Sequence, residues 1–321
     1  MNITLNKLGK ACAAVLLALG LAAPAAQAAY PEKPITVIIP FGAGTGADNN
    51  FRAAQPFYEK ALGVKLVTDY KAGAGGVVGA NYYMSTRPDG YTLLFYNFPH
   101  ISMQQVFQKT SYNTKNLVPI VSSVLFDEII TVREDSPFKT LDDLIKYAKE
   151  HPGKVTVGNT GSYSSNHLTF ASFVKETGVD MVRIPFENGT KLNVALLDGQ
   201  IDAACSNAQW LTTHKGKIRA LASASKTRII EGVPTFAEYG LDMEGCTMFN
   251  CLIGRADMPK EALDYLTSRL ATLRDDPELK ASIERIGSTY GFQDSNDLKE
   301  TIAKIDQKVE NLKDVIKNTA D

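Results

Sequence analysis

Excess charge of one sign, histidine and cysteine are all scarce in this sequence, and each scarcity removes a class of function. Lys and Arg total 34 against 35 Asp and Glu, a formal net charge of −1, with no long run of either sign. A nucleic-acid partner normally leaves a basic stripe, so none is expected. The four histidines, His100, His151, His167 and His214, stand far apart and give no metal-ligand spacing. Neither a metal nor a cofactor is therefore expected. No Gly-x-Ser-x-Gly elbow occurs that would present a serine nucleophile. Also missing is any apolar run that approaches the roughly 20 residues a membrane-spanning helix needs.

The apolar stretch that does occur, residues 11–23, follows Lys7 and Lys10 and precedes Ala26-Gln27-Ala28. That order reads as a signal peptide, residues 1–28, cleaved near Ala28 and exporting a soluble chain to the periplasm. Cys12 lies at the start of the apolar run, not after it, and is badly placed for lipid attachment. Cys205, Cys246 and Cys251 remain after export, an odd count for an oxidising compartment. In an extended segment Cys246 and Cys251 would lie ~16 Å apart, too far to bridge. Either Cys205 pairs with one of them, or all three are small buried hydrophobes.

Strand-like runs alternate with helical patterns, which argues for parallel sheets covered by helices. Strands are expected at residues 35–40, 64–68 and 91–96, with a helix over 47–62. A second series begins after Arg133. Thr140 caps a helix with Asp143 at the capping-box position, and strands follow at 154–158, 181–186, 201–205 and 218–222. One more extended segment, 246–254, precedes a helical tail. There Leu298, Ile302, Ile305, Val309, Leu312 and Ile316 mark one apolar face. The expected organisation is two α/β lobes, 29–129 with 249–321 and 130–248, with the tail on the first. Two crossings, near 130 and 248, would form a hinge beside a ligand cleft.

Three loops carry chemistry. Residues 41–48, Phe41-Gly42-Ala43-Gly44-Thr45-Gly46-Ala47-Asp48, join a strand to a helix and point backbone amides at an anion. Gly42, Gly44 and Ala47 formally match a dinucleotide fingerprint, but Asp69 follows about 27 residues after Gly42 instead of about 20. An exported chain also has little access to such a cofactor. Lys71-Ala72-Gly73-Ala74-Gly75-Gly76 is a second loop of the same kind, and the pair suits a carboxylate; two plain tight turns are the alternative. The third runs from Gly158 through Ser164 to Leu168. Ser164 and His167 are conceivable as a hydrolytic pair, yet nothing marks a carboxylate to orient the histidine, so capping and packing are expected of it.

Taken together these blocks resemble the receptors of tripartite tricarboxylate transporters, the TctC or Bug family. The resemblance rests on Tyr30-Pro31-Glu32-Lys33-Pro34-Ile35, Pro40-Phe41 with Gly44, Asp48 and Arg52, and Gly73-Ala74-Gly75-Gly76 with Gly79-Ala80. It continues through Pro88-Asp89-Gly90-Tyr91-Thr92-Leu93-Leu94, then Gly158, Gly161, Ser164, His167-Leu168, Pro185-Phe186, Gly189 and Leu196-Leu197-x-Gly199-Gln200-x-Asp202.

The resemblance implies a type II periplasmic-binding-protein fold and a non-enzymatic receptor for a small organic carboxylate, aromatic ones included. A monomer is expected, partnered by the membrane subunits of such a transporter. An acidic amino acid receptor and a ligand sensor feeding a signalling partner are the alternatives. The ligand residues it implies are Phe41, Gly44, Thr45, Asp48, Gly73, Ala74, Gly75 and Gly76 in the first lobe. In the second they are Tyr163, Ser164, Ser165, Gly189, Thr190 and Ser206. Four positions depart from the family pattern. Thr45 replaces a glycine and brings a hydroxyl, Tyr163 replaces a glycine and brings a ring that could stack on a guest, Glu187 stands where a basic residue is common, and no acid stands near Ser206. Asp48 and Arg52, spaced i,i+4, are equally readable as an ordinary helix salt bridge.

Overall fold

The structure is a computed structural model that describes residues 30–320. The expected signal peptide, with Cys12 and the cleavage site at Ala28, lies outside the described residues. From the amino end the chain forms β1 (Ile35–Ile39), α1 (Gly46–Leu62), β2 (Leu66–Tyr70), α2 (Val77–Ser85), β3 (Thr92–Phe98), α3 (His100–Phe107) and β4 (Leu117–Phe126). It continues with β5 (Glu128–Arg133), α4 (Leu141–Glu150), β6 (Thr156–Thr160), α5 (Ser165–Thr177), β7 (Val182–Phe186), α6 (Gly189–Leu197), β8 (Ala203–Asn207), α7 (Gln209–Thr213) and β9 (Ile218–Ser223). β10 (Met248–Arg255), α8 (Lys260–Ala271), α9 (Pro277–Arg285), β11 (Thr289–Asp294), α10 (Ser295–Asn311) and α11 (Lys313–Asn318) complete it.

The strands make two sheets, ordered β11-β4-β10-β3-β1-β2 and β7-β6-β8-β5-β9. The expected parallel pairing holds for β1 with β2 and β3, and for β6 with β7 and β8. Both sheets are nonetheless mixed. β10 runs antiparallel to β3 and β4, and β5 antiparallel to β8 and β9. These strands enter from the other sheet, so they arrive from the opposite end. Only Asp127 separates β4 in one sheet from β5 in the other.

Local chemistry explains the elements that frame the cleft. β1 is Ile-Thr-Val-Ile-Ile, β-branched throughout and almost wholly buried, as suits a central strand covered on both faces. Gly63, at φ 68°, ends α1 in the left-handed conformation that glycine adopts without strain. α4 begins at the expected capping box. The Asp143 amide donates to Thr140 Oγ1 at 3.2 Å, and the Thr140 amide donates to Asp143 Oδ2 at 2.9 Å.

Two apolar layers sandwich the six-stranded sheet. On one face Ile35, Val37 and Ile39 pack with Phe51 and Tyr58 of α1 and with residues of α8 and α9. On the other, Ile38, Tyr96 and Phe98 meet Leu298, Ile302 and Ile305 of α10. That second layer continues into the five-stranded unit through Met243 and Cys246 to Leu168 and Phe170 of α5. Cys205, Cys246 and Cys251 are buried, free thiols.

The tail does more than cover the first unit. α10 packs on β4, β11 and α3, whereas α11 packs on α5 of the other unit. The six apolar positions of the expected face are all buried, each contributing roughly 1.5–3 kcal/mol. The chain therefore connects the two sheets a third time, at Leu312, where α10 gives way to α11.

Candidate functional site

Parallel pairing of β1 with β2, with Ile39 opposite Tyr70, brings the loops after both strands out at the same sheet edge. α1 opens from the first loop without a side-chain cap, since Thr45 makes no capping bond. Its first-turn amides at Gly46 and Ala47 have no intrahelical partner and carry the positive end of the helix dipole. Thr45 instead turns its hydroxyl to the Gly42 carbonyl at 2.8 Å. That spends the donor which the sequence offered to a ligand.

Asp48 organises this loop from within. Its carboxylate accepts from the Gly44 amide at 2.7 Å, the Tyr70 hydroxyl at 2.7 Å and Arg52 Nε at 3.1 Å. Burial pushes this carboxyl up, but those three donors outweigh it and hold it below the ordinary carboxylate range. It is only 1% exposed. Asp48 thus shapes the loop, and the helix salt bridge weighed for it exists alongside two further bonds.

The second loop has a more unusual backbone. Gly73, Ala74, Gly75 and Gly76 all have positive φ, at 142°, 46°, 63° and 103°. A tight turn of this kind can expose backbone amides to an anion, with the Gly76 amide itself spent on the Gly73 carbonyl at 2.9 Å. The residues beneath hold the loop in place. Tyr96 Oη lies 2.7 Å from the Gly75 carbonyl, and Gln104 Nε2 donates to the same oxygen at 3.1 Å. Tyr112 donates to Gln104 Oε1 at 2.9 Å. Burial pushes the Tyr96 phenol well above its usual range, so it stays protonated. Phe41 of the first loop meets the same Tyr96 ring edge-on, centroids 5.5 Å apart, so both loops rest on one tyrosine.

The five-stranded unit presents its own helix start to this edge. Ser164 caps α5, its Oγ accepting from the His167 amide at 3.2 Å. Ser165 Oγ reaches Met248 Sδ, at the start of β10, at 3.5 Å. Tyr163, at φ 63°, stacks on Phe107 of α3 with centroids 4.9 Å apart and planes at 7°. One face of the Tyr163 ring is therefore taken by the other lobe and is closed to an aromatic guest. Gly189 opens α6 nearby, tied in because the Phe186 carbonyl accepts from the Gly161 amide at 2.8 Å. Thr190 is exposed beside it.

Ser206 stands apart from these groups. It is 2% exposed, and its hydroxyl lies 3.1 Å from Thr131 Oγ1 inside the five-stranded sheet. Phe41, Gly44, Gly73, Ala74, Gly75 and Gly76 lie on two loops at one edge of the six-stranded sheet, Tyr163 and Ser165 at the start of α5 touch that lobe through Phe107 and Met248 with Ser164 between them, and Ser206 lies in the sheet interior. Gly46, Ala47, Tyr96, Gln104 and Tyr112 were not among the expected residues. The helix-start pair was legible in the first loop, whereas the supports under the second lie on β3, α3 and the loop after α3, with no local motif.

His167 is no partner for a serine nucleophile. Its Nδ1 accepts from the Tyr163 amide at 3.1 Å, so the neutral ring carries its proton on Nε2, which donates to Thr319 Oγ1 at 2.9 Å. Burial, with Arg183 adding to it, lowers its pKa to about 3. Among the described residues no group of three or more His, Cys, Asp or Glu could hold a metal ion, and no helix is long and apolar enough to cross a membrane. A groove of about 750 Å³ between α8 and α10, lined by Met258, Asp264 and Lys299, opens where β10 ends and holds none of the amide-rich loops.

Comparison with known proteins agrees with this geometry. The family model described as the tripartite tricarboxylate transporter family receptor matches residues 50–320. A curated Cupriavidus necator protein, the UPF0065 protein in the gbd 5' region, is 33% identical over 77% of this chain and 78% of its own length. A solved TctC solute-binding protein from Polaromonas superposes with a TM-score of 0.78 at 27% identity, covering 89% of this chain and 99% of that one. The periplasmic binding protein BugD superposes with a TM-score of 0.69 at 26% identity, covering 90% and 98%. The chain belongs to the tripartite tricarboxylate transporter receptor family, whose members are periplasmic solute-binding receptors and not enzymes.

Proposed function

We propose that this chain is exported by cleavage near Ala28 and, as a periplasmic monomer, captures a small organic mono- or dicarboxylate for the membrane subunits of a tripartite tricarboxylate-type transporter. Its lobes would be residues 29–129 with 249–321, and 130–248, closing over the guest. The observation that carries the reading is the meeting of an uncapped helix start with four consecutive positive-φ residues, both resting on Tyr96. One carboxylate would sit on amides of these two loops, and Ser164, Ser165, Gly189 and Thr190 would meet the rest. With Tyr163 stacked on Phe107, a non-aromatic guest fits better.

The magnitudes are compatible. Burying a lone carboxylate costs several kcal/mol, and each charge-assisted hydrogen bond returns about 1.5–3 kcal/mol. Roughly three to five such bonds with apolar contact from Phe41 suffice for an affinity near −8 kcal/mol, about micromolar. Lobe closure strengthens each bond by excluding water.

A thermal-shift screen of organic acids and amino acids, followed by calorimetry, tests the reading. A bound acid at a hundred times its dissociation constant adds about 2.7 kcal/mol of stability. Gly75→Leu should abolish the response, because φ there is 63° and a Cβ would already stand 3.3 Å from Gln104 Nε2. A variant that binds as well as the native protein, or a native protein stabilised only by neutral solutes, would remove the cradle from consideration.

A further inference from the structure

Arg183 of β7 is 6% exposed, and a guanidinium buried this deeply is costly unless its donors are met. It meets them with two sets of acceptors from distant parts of the chain. One set belongs to the loop after β6. Asn159 Oδ1 accepts from Nη1 at 2.8 Å, and Ser162 Oγ from Nη2 at 3.0 Å. The other belongs to the end of the tail. The Thr319 carbonyl accepts from Nε, and the Ala320 carbonyl from Nη2 at 2.6 Å.

The tail also holds that loop without Arg183. Ser162 Oγ donates to the Ala320 carbonyl at 2.6 Å, and Thr319 Oγ1 takes the Nε2 proton of His167. The second bond fixes the tautomer in which His167 Nδ1 can accept from the Tyr163 amide. Tyr163 needs that support. A φ of 63° is strained for a side chain of its size and persists only where neighbours over-determine it.

We propose that Thr319 and Ala320 form a strap that positions the second-lobe ligand loop, acting through Arg183 on Ser162 and through His167 on Tyr163. Thr319 and Arg183 are positioning residues and touch no guest. The strap comes from the tail that covers the six-stranded lobe, so one segment of that lobe travels with the other lobe's ligand loop. The link to ligand affinity rests on the reading given under Proposed function; the link to loop conformation does not.

The test uses the full mature chain with Thr319→Val, which keeps the shape of the side chain and loses the hydroxyl, and Thr319→Ser, which keeps it. Hydrogen exchange is followed at the Tyr163 amide without ligand, and affinity for malate and adipate is measured by calorimetry. We expect Thr319→Val to speed exchange at Tyr163 and weaken binding, each by about tenfold, the scale of one lost hydrogen bond. Thr319→Ser should restore both, and amides of β1 should be unaffected in either variant. Removing residues 319–321 should exceed the effect of Thr319→Val. Unchanged exchange at Tyr163 in Thr319→Val overturns the strap even where the acids bind normally. Faster exchange with unchanged affinity overturns its role in binding. A native protein that binds no carboxylate defeats the proposed function, while the exchange result still decides whether the strap holds the loop.

Discussion

At the scale of single residues, the two loops differ in how much freedom each glycine has left. A Cβ at Gly76 would stand 2.3 Å from Tyr96 Oη, at a φ of 103°. Gly76→Ala must therefore displace the tyrosine that supports Gly75 and also adopt a strained backbone. We expect a loss on the order of 3 kcal/mol together with loss of ligand binding. At Gly44 φ is 78° but nothing lies within 4 Å of the added atom. Gly44→Ala should cost only the left-handed penalty, about 1–2 kcal/mol. Urea midpoints of the two variants distinguish these costs, and equal losses would contradict the contact argument. Loop glycines such as these were readable from the sequence. Tyr96, Gln104 and Tyr112 were not, because a buried polar side chain among apolar neighbours looks like core until its partner is seen.

Glu128 shows a different residue-scale effect. Burial raises its pKa from 4.5 to about 8, against the opposing pull of Ser165 and Asn166 and with a further push from Asp127. Asn166 donates to Oε2, while Oε1 has no partner. In the window between those two values the folded protein keeps a proton that the unfolded chain has released. Folding takes up a proton there, so this group's contribution falls as pH rises from about 4.5 to about 8 and is level above. Glu128→Gln is neutral throughout and removes that decline. The variant should gain on the native protein across the window, by an amount on the order of a few kcal/mol. Urea unfolding at the two ends of the window checks this; parallel profiles would show that the carboxyl is not buried as described.

At the scale of elements, helix starts were the most legible features. Thr140 and Asp143 form the capping box that their spacing announces, and Ser164 caps α5. Thr140→Ala and Ser164→Ala should each lose about 1 kcal/mol of stability. Only Ser164→Ala should also weaken ligand binding, since α4 starts away from the cleft loops. Equal affinity in the two variants would take Ser164 out of the site. The least legible stretch was residues 117–133. β4 and β5 are buried almost throughout, so they lack the alternation that marks a half-exposed strand. Asp127 and Glu128, between and at the start of these strands, bury two acidic side chains at 0% exposure, which no pattern in the sequence signals. The edge strand β11 has the opposite problem, being half-buried at every position.

For the whole molecule, the sequence pattern led to two lobes and two crossings, and the structure adds contacts that hold the lobes together. Gln209 of the five-stranded unit donates to Ser288 Oγ at 3.0 Å and to the Gly287 carbonyl at 3.2 Å, both just before β11. Ser288 continues to Asn50 Oδ1 at 2.8 Å, and Asn50 to Asn250 Oδ1 at 2.8 Å, so the contact is anchored in the six-stranded lobe. The Phe107–Tyr163 stack is a second bridge. An aromatic pair is worth about 0.5–1.5 kcal/mol beyond its burial, and one neutral hydrogen bond about 1 kcal/mol. Together they favour the lobe arrangement described here by roughly 2 kcal/mol, or about thirtyfold in population. Removing both in Phe107→Ala/Gln209→Ala should open the ligand-free protein, and the radius of gyration from small-angle scattering should rise. A ligand that binds this arrangement must then supply the missing bias, so its apparent affinity should fall by up to the same factor. Saturating ligand should return the radius to the native value. A double variant whose radius and affinity both match the native protein would mean that the crossings at residues 127 and 224–247, with the tail at Leu312, set the lobe arrangement without these bridges.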